Sequence, residues 1–185
     1  MASQSKNVFV STYLDNLCDQ ECLFDLRAEY TILAVRLGRL ANERNRSFTI
    51  SISSDTPSHF RGHPEKFREL VFTLVENFLL NDGAEIIDVQ INSKPAGNDN
   101  LHQLKITTVA TGRDRSGQLA TLLERPTQHP QVRPYLRHQH AMYRINKLLR
   151  AMKGVLQTEK LDKGIQYVAH LPLTKSNSDT ISLWC

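Results

Sequence analysis

The 185-residue sequence has no long apolar run, few cysteines and few aromatic residues. No stretch approaches the roughly 20 consecutive apolar residues that a membrane helix needs, and the N-terminus lacks the charged-then-apolar order of a signal peptide. These absences predict a cytoplasmic chain that does not enter a membrane. One tryptophan and an aromatic fraction of 7% leave few rings for stacking on bases, so nucleic acid is a disfavoured partner.

The sequence also contains few cysteines, and its polar residues form no recognisable catalytic set. The three cysteines, Cys18, Cys22 and Cys185, are too few for a disulfide framework or a structural zinc site. Cys18 and Cys22 lie four residues apart, and we expect them to be ordinary residues on one helix face. Neither a Ser-His-Asp triad nor a pair of catalytic carboxylates follows from the spacing of the polar residues, so the sequence indicates no catalytic residue.

What is present suffices for one globular domain. A chain of this length with 40% hydrophobic residues can bury a substantial core, and it contains no internal repeat. We expect an N-terminal tail and helix over residues 1–23, one domain over residues 24–174, and a C-terminal tail over residues 175–185.

Periodicity within the chain predicts an alternation of helices and strands. The expected helices cover residues 7–21 and 26–45, a segment that begins with Pro64, and residues 141–152 before a stop at Gly154. The expected strands cover residues 47–53, 85–91 and 104–109 and a closing hairpin, with a loop over 57–63 and a turn over 95–100. This order predicts an α/β two-layer sandwich, with a mixed sheet on one side and about three helices on the other.

The helix that begins with Pro64 carries one residue that needs an explanation, Asn77. It lies three positions after Leu74 and seven after Leu70, so it shares their side of the helix. A buried amide costs free energy unless it has hydrogen-bond partners. We therefore expect Asn77 either to contact a ligand or to be satisfied locally as a half-buried amide. The apolar face beside it consists of Phe67, Leu70, Val71, Leu74 and Phe78.

The stretch GHPEKFRELVFTLVENFLLNDGAEIIDVQI, which starts at Gly62, resembles the ATP-binding domain of sensor histidine kinases. That domain belongs to the Bergerat, or GHKL, superfamily, together with chaperone, gyrase and mismatch-repair ATPases. The order of elements on both sides extends the resemblance over most of the chain. The resemblance implies that Asn77 is the family's asparagine that holds the magnesium ion bridging the nucleotide phosphates.

The resemblance also shows what this chain lacks. The family's adenine pocket uses an aspartate followed by a Gly-x-Gly turn, because a carboxylate accepts the adenine amino hydrogen bond and the glycines let the backbone approach the base. Here Ala110 stands at the acceptor position, Gly112 is kept, and Asp114 replaces the second glycine. The second glycine motif aligns with residues 139–141, which contain no glycine. The nucleotide-binding set, if retained, is Asn77, Gly112 and Asp114.

Basic residues concentrate toward the predicted last helix. Arg133, Arg137, Arg144 and Lys147 lie close enough in the sequence to form a connected positive patch on a helix. Such a patch suits phosphate, an acidic protein face or nucleic acid, and a solvated helix face is the alternative.

Three functions are compatible with the resemblance. The favoured one is a degenerate histidine-kinase-like ATPase domain without enzymatic activity or cofactor, acting as a regulatory or docking module in bacterial two-component or phosphorelay signalling. Its partner would be a response regulator or another signalling protein, and it could form a homodimer through the N-terminal helix. The second is a divergent but working ATP-binding domain that takes Mg-ATP, with Asn77 on magnesium and Asp114 replacing the lost aspartate. The third is a binding protein for nucleic acid or another anionic partner on the same scaffold.

Overall fold

The computed structural model describes residues 20–80, 84–112 and 132–176, without the side chains of residues 98, 99 and 132–136. The helices in these ranges are α1 (Leu26–Glu43), α2 (Pro64–Leu79) and α3 (Val132–Ala151). The strands are β1 (Cys22–Asp25), β2 (Ser47–Ile52), β3 (His59–Gly62), β4 (Ile86–Ala96), β5 (Asn98–Thr111), β6 (Val155–Leu161) and β7 (Gly164–Lys175).

The strands form one seven-stranded mixed sheet in the order β1-β3-β7-β5-β4-β2. Only β2 and β4 pair in parallel among the described pairs, and the others are antiparallel. One edge of β7 pairs with β5 along its whole length, and its other edge is shared by β6 and β3. The fold is thus the α/β arrangement of a mixed sheet and three described helices that the element order predicts.

Side chains alternate between the two faces of the sheet, and those on one face form part of the core. Ile87, Val89 and Ile91 of β4 are buried, as are the β5 residues that face the same way. The helices cover this face, and α2 contributes its apolar side and packs against both α1 and α3. The core that results contains Phe60, Phe67, Leu70, Leu74, Phe78, Leu104, Ile106, Ile145 and Leu171.

Two short strands were not expected. The predicted loop over residues 57–63 is wrong, because its second half is β3, which pairs with β1 on one side and with the end of β7 on the other. Strand β1 begins before the expected domain boundary at residue 24, so Cys22 and Leu23 belong to the sheet. The expected turn over residues 95–100 is also shorter, since β4 and β5 are separated only by Gly97, which has a φ of 89°.

The helices end close to the expected positions, by different means. Helix α1 ends at Glu43, two residues early, and Asn45 takes a left-handed conformation with a φ of 54°, which asparagine tolerates well. After α3 the left-handed residue is Lys153, with a φ of 56°, rather than Gly154. Gly154 is needed for space instead, because a Cβ there would lie 2.6 Å from Leu171 Cδ2. Helix α2 starts with Pro64 in its first turn, as predicted.

Two further expectations concern cysteine and membranes. Cys22 lies on β1 and is disulfide-bonded, so the expectation that it is an ordinary helix residue is wrong; Cys18 and Cys185 lie outside the described residues. None of the three described helices combines the length and apolar character that a membrane crossing requires.

Candidate functional site

Asn77 lies near the end of α2 and is 3% exposed. Its Nδ2 atom lies 3.2 Å from Nδ1 of His138 on α3 and donates to the hydroxyl of Tyr167 on β7 at 3.3 Å. The same His138 Nδ1 lies 3.3 Å from Asn77 Oδ1, so the tautomer of the ring decides whether it accepts from the amide nitrogen or donates to the amide oxygen. The asparagine that the sequence singles out is therefore held by side chains from two other elements.

Tyr167 is fully buried and packs with its ring against α2. Its ring and that of Phe78 are stacked, with centroids 4.7 Å apart and planes 19° from parallel. Burial raises the pKa of the Tyr167 hydroxyl, and the hydrogen bond from Asn77 opposes only part of that rise. The hydroxyl is thus neutral near pH 7 and acts as a hydrogen-bond acceptor for the amide.

His138 is the α3 residue that closes this cluster. It is 7% exposed, while His140, two positions along the same helix, is exposed. Burial lowers the pKa of His138. The imidazole is therefore neutral near pH 7, with one ring nitrogen as donor and the other as acceptor.

One turn away, an ion-paired group joins the same two helices. The guanidinium of Arg144 on α3 bonds the Glu69 carboxylate of α2, and its Nη1 lies 3.7 Å from Glu76 Oε2. Thr73 of α2 donates to Glu69 Oε1 at 3.4 Å. We call Glu69, Glu76 and Arg144 the α2–α3 bracket. Side-chain exposures of 12%, 31% and 22% show that it is half-buried.

The end of β5 also packs tightly. The Ala110 side chain is fully buried in the core. A Cβ on the facing Gly164 would lie 2.0 Å from the Ala110 carbonyl oxygen, so only glycine fits there without a shift of the backbone. Gly112 follows β5 and donates its N–H to the carbonyl of Lys163 at 3.4 Å. Ala110 and Gly112 are thus fixed by backbone contacts with the β6–β7 hairpin.

The residues of the predicted basic patch differ in their exposure and in their partners. Arg137 is exposed and Lys147 is partly exposed. Arg144 belongs to the α2–α3 bracket, so the expectation that it is an open cation of the patch is corrected: its positive charge meets two carboxylates from another helix. The Arg133 side chain and Asp114 lie outside the described residues. The described residues contain no cluster of three metal-ligating side chains.

Sequence reasoning missed the partners of Asn77 and of Arg144. His138 and Tyr167 are 61 and 90 residues from Asn77, and Glu69 is 75 residues from Arg144. A weak signal existed for Tyr167, because a tyrosine on the inward face of a predicted strand needs a hydrogen-bond partner. No comparable signal marks Glu69 or His138.

Comparison with solved structures relates this arrangement to known folds. The histidine kinase AdeS of Acinetobacter baumannii has a TM-score of 0.57 and 13% identity, covering 93% of this chain and 77% of AdeS. Full-length ShkA in complex with AMPPNP has a TM-score of 0.59 and 15% identity, covering 86% of this chain and 32% of ShkA. The nucleotide-free catalytic domain of the histidine kinase ThkA has a TM-score of 0.55 and 13% identity, covering 83% of this chain and 97% of that domain.

The chain therefore has the histidine kinase ATPase-like fold, and the resemblance found in the sequence is confirmed at the level of the fold. It spans about a third of the length of ShkA. Neither a protein-family model nor the sequence of a curated protein matches the chain.

Proposed function

We propose that this chain is a degenerate histidine-kinase-like ATPase domain that works without nucleotide, as a cytoplasmic regulatory or docking module in two-component or phosphorelay signalling. The observation that carries the proposal is the position of Asn77, the residue that would hold magnesium in a working domain. Its amide is buried and engaged by His138 and Tyr167. A magnesium ion would need the Asn77 Oδ1 atom, which lies 3.3 Å from His138 Nδ1, so the ion would have to displace the imidazole from that oxygen.

The surrounding residues support the same conclusion. Magnesium prefers oxygen ligands and keeps several of its waters, whereas Asn77 is packed against a stacked tyrosine ring and a neutral imidazole. The adenine-reading carboxylate is replaced by the buried methyl group of Ala110. An adenine amino group buried there would lack its acceptor, at a cost of about 1–3 kcal/mol. These residues do not fit a magnesium–nucleotide complex.

The exposed side of α3 is the surface we assign to a signalling partner. The helix contains no acidic residue. Within its described side chains, Arg137, His140 and Arg150 are exposed, and Tyr143 is 59% exposed among them. Arginine and tyrosine are enriched at protein interfaces, and positive charge favours an acidic partner face. A response regulator is the class of partner we propose. The proposed homodimer contact involves the N-terminal helix expected over residues 7–21, of which residues 7–19 lie outside the described part of the chain.

A calorimetric titration of the purified chain with ADP and ATP in the presence of magnesium tests the proposal. We expect no saturable heat up to millimolar nucleotide, because the magnesium ligand Asn77 is engaged inside the protein and the base-reading acceptor is absent. The same titration is run on Asn77→Ala and on Asn146→Ala, an exposed asparagine of α3. Binding to the wild type and to Asn146→Ala that disappears in Asn77→Ala would contradict the proposal and establish a divergent, working ATP-binding domain.

A further inference from the structure

A polar pocket opens at the end of the sheet opposite Ala110. It is an open depression of about 600 Å³ that lies between the start of α1, the loop that joins β2 to β3, and the end of β7. Strands β5 and β7 pair from Thr111↔Gly164 at one end to Leu101↔Thr174 at the other. At about 3.4 Å per residue, this places the pocket roughly 35 Å from Gly164. It is a separate site from the cluster around Asn77.

Two cations of this pocket have no acidic partner in the described ranges. Arg27 Nε donates to Ser58 Oγ at 3.2 Å, and no described carboxylate pairs with its guanidinium. Lys175, at the end of β7, likewise makes no ion pair with any residue that the structure describes. The imidazole of His59 lines the same pocket. The walls therefore carry positive charge that the described protein does not neutralise.

Hydroxyl groups complete the lining. Because Ser58 Oγ accepts from Arg27, its own hydrogen remains available to donate into the pocket. Thr56 is 3% exposed, and its hydroxyl has no hydrogen-bond partner among the described residues. A buried hydroxyl without a partner is uncommon, and a ligand oxygen seated against the loop would supply one.

One acidic residue also faces the pocket, and its position sets the charge of the ligand. Asp55 accepts from the neighbouring Ser54 hydroxyl at 3.2 Å. The Leu26 N–H at the start of α1 bonds the Ser58 carbonyl at 2.7 Å, which fixes the loop to the helix. The Asp25 carboxylate caps this helix end, since it accepts from the Arg27 N–H at 2.8 Å. The positive charge of the pocket therefore comes from Arg27 and Lys175, which exceed the charge of Asp55 by one. This favours a compact anion with several acceptor oxygens.

We propose that this pocket binds a phosphate group, either as the free anion or as part of a phosphorylated side chain. A guanidinium held by a serine offers its two terminal nitrogens as a fork, which matches two phosphate oxygens. Lys175 adds a point charge, and the Ser58 hydroxyl adds a donor. The proposal does not depend on the function proposed for the domain, since it uses none of the residues around Asn77.

The test is a calorimetric titration of the full chain with inorganic phosphate at pH 7 and low salt. We expect saturable binding to the wild type and at least about tenfold weaker binding to Arg27→Gln and to Lys175→Gln, since each loses a charged donor. Asp55→Asn should bind more tightly, because it removes the opposing charge. Arg39→Gln is the matched control: it removes the same charge from the exposed middle of α1 and should bind like the wild type.

A second arm separates the two sources of phosphate. A short phosphoserine peptide that binds at least about tenfold more tightly than inorganic phosphate identifies a phosphorylated side chain as the ligand, whereas equal affinities identify the free anion. The proposal is overturned if the wild type gives no saturable heat with either ligand, or if Arg39→Gln weakens binding as much as Arg27→Gln. Phosphate should bind to Asn77→Ala as it binds to the wild type, which would show that this site is separate from the cluster around Asn77.

Discussion

At the scale of single residues, His138 determines the state of the cluster around Asn77. Its imidazole is hydrogen-bonded to the buried Asn77 amide, and burial disfavours its charged form. A change of one proton on His138 therefore acts directly on the contact between α2 and α3.

The first prediction concerns the pH dependence of stability. In the unfolded chain, His138 takes up a proton near its ordinary pKa of 6.5, whereas the folded chain binds that proton only at lower pH. The free energy of unfolding should therefore fall as the pH decreases below about 6.5, because the unfolded state binds more protons there. Urea unfolding between pH 5 and 8 measures the slope, which should be shallower in His138→Gln.

His140→Gln is the control for this prediction. The residue is exposed on the same helix, so its removal should leave the slope of the wild type unchanged. Parallel curves for wild type and His138→Gln would show that the buried imidazole does not govern the acid sensitivity.

At the scale of elements, α3 is held to α2 by charge as well as by apolar packing. The α2–α3 bracket puts ion pairs between these helices beside the Asn77 cluster. Both features fix the same surface of α2, so the helix positions are determined together.

The second prediction removes the bracket. Arg144→Ala should lower the free energy of unfolding by about 1–3 kcal/mol, since it leaves the Glu69 carboxylate half-buried without its cation. Arg39→Ala breaks an exposed pair with Glu43 four residues on, whose side chains are 83% and 55% exposed. That control should cost no more than about 0.5 kcal/mol. Chemical unfolding of both variants makes the comparison, and equal losses would contradict the role of the bracket.

The third prediction compares two glycines. Gly164→Ala places a Cβ 2.0 Å from the Ala110 carbonyl oxygen, so the β5–β7 ladder must shift. We expect a loss of more than about 3 kcal/mol in the free energy of unfolding. Gly38→Ala, in the middle of α1 with nothing within 4 Å of the new Cβ, should instead stabilise the protein by about 0.5–1 kcal/mol. Two equal effects would show that the contact at Gly164 relaxes freely.

At the scale of the whole molecule, β7 and β5 are the two central strands of the described sheet, whereas β1 lies at its edge and pairs only with β3. The fourth prediction is that native-state hydrogen exchange is slowest for amides in the centres of β5 and β7 and faster by orders of magnitude in β1. Amides of β1 that exchange as slowly as those of β7 would contradict this ranking.

Sequence periodicity was sufficient for the centres of the helices, the long strands and the burial of Asn77, because these depend on local spacing. Periodicity did not predict strands β1 and β3, because strands of four residues form through pairing with distant residues rather than through their own pattern. Periodicity could not predict the partners of Asn77 either, because they come from elements far along the chain. Local spacing predicts which residue is buried, and only the folded chain shows what satisfies it.

The place of β7 in the sheet has a consequence for synthesis. The strand that lies between β3 and β5 comes last among the described strands, so β3 and β5 leave the ribosome well before it does. Until then the nascent chain presents two open strand edges, which are templates for aggregation. We expect the growing polypeptide to depend on chaperones until β7 has been translated and has paired with β3 and β5.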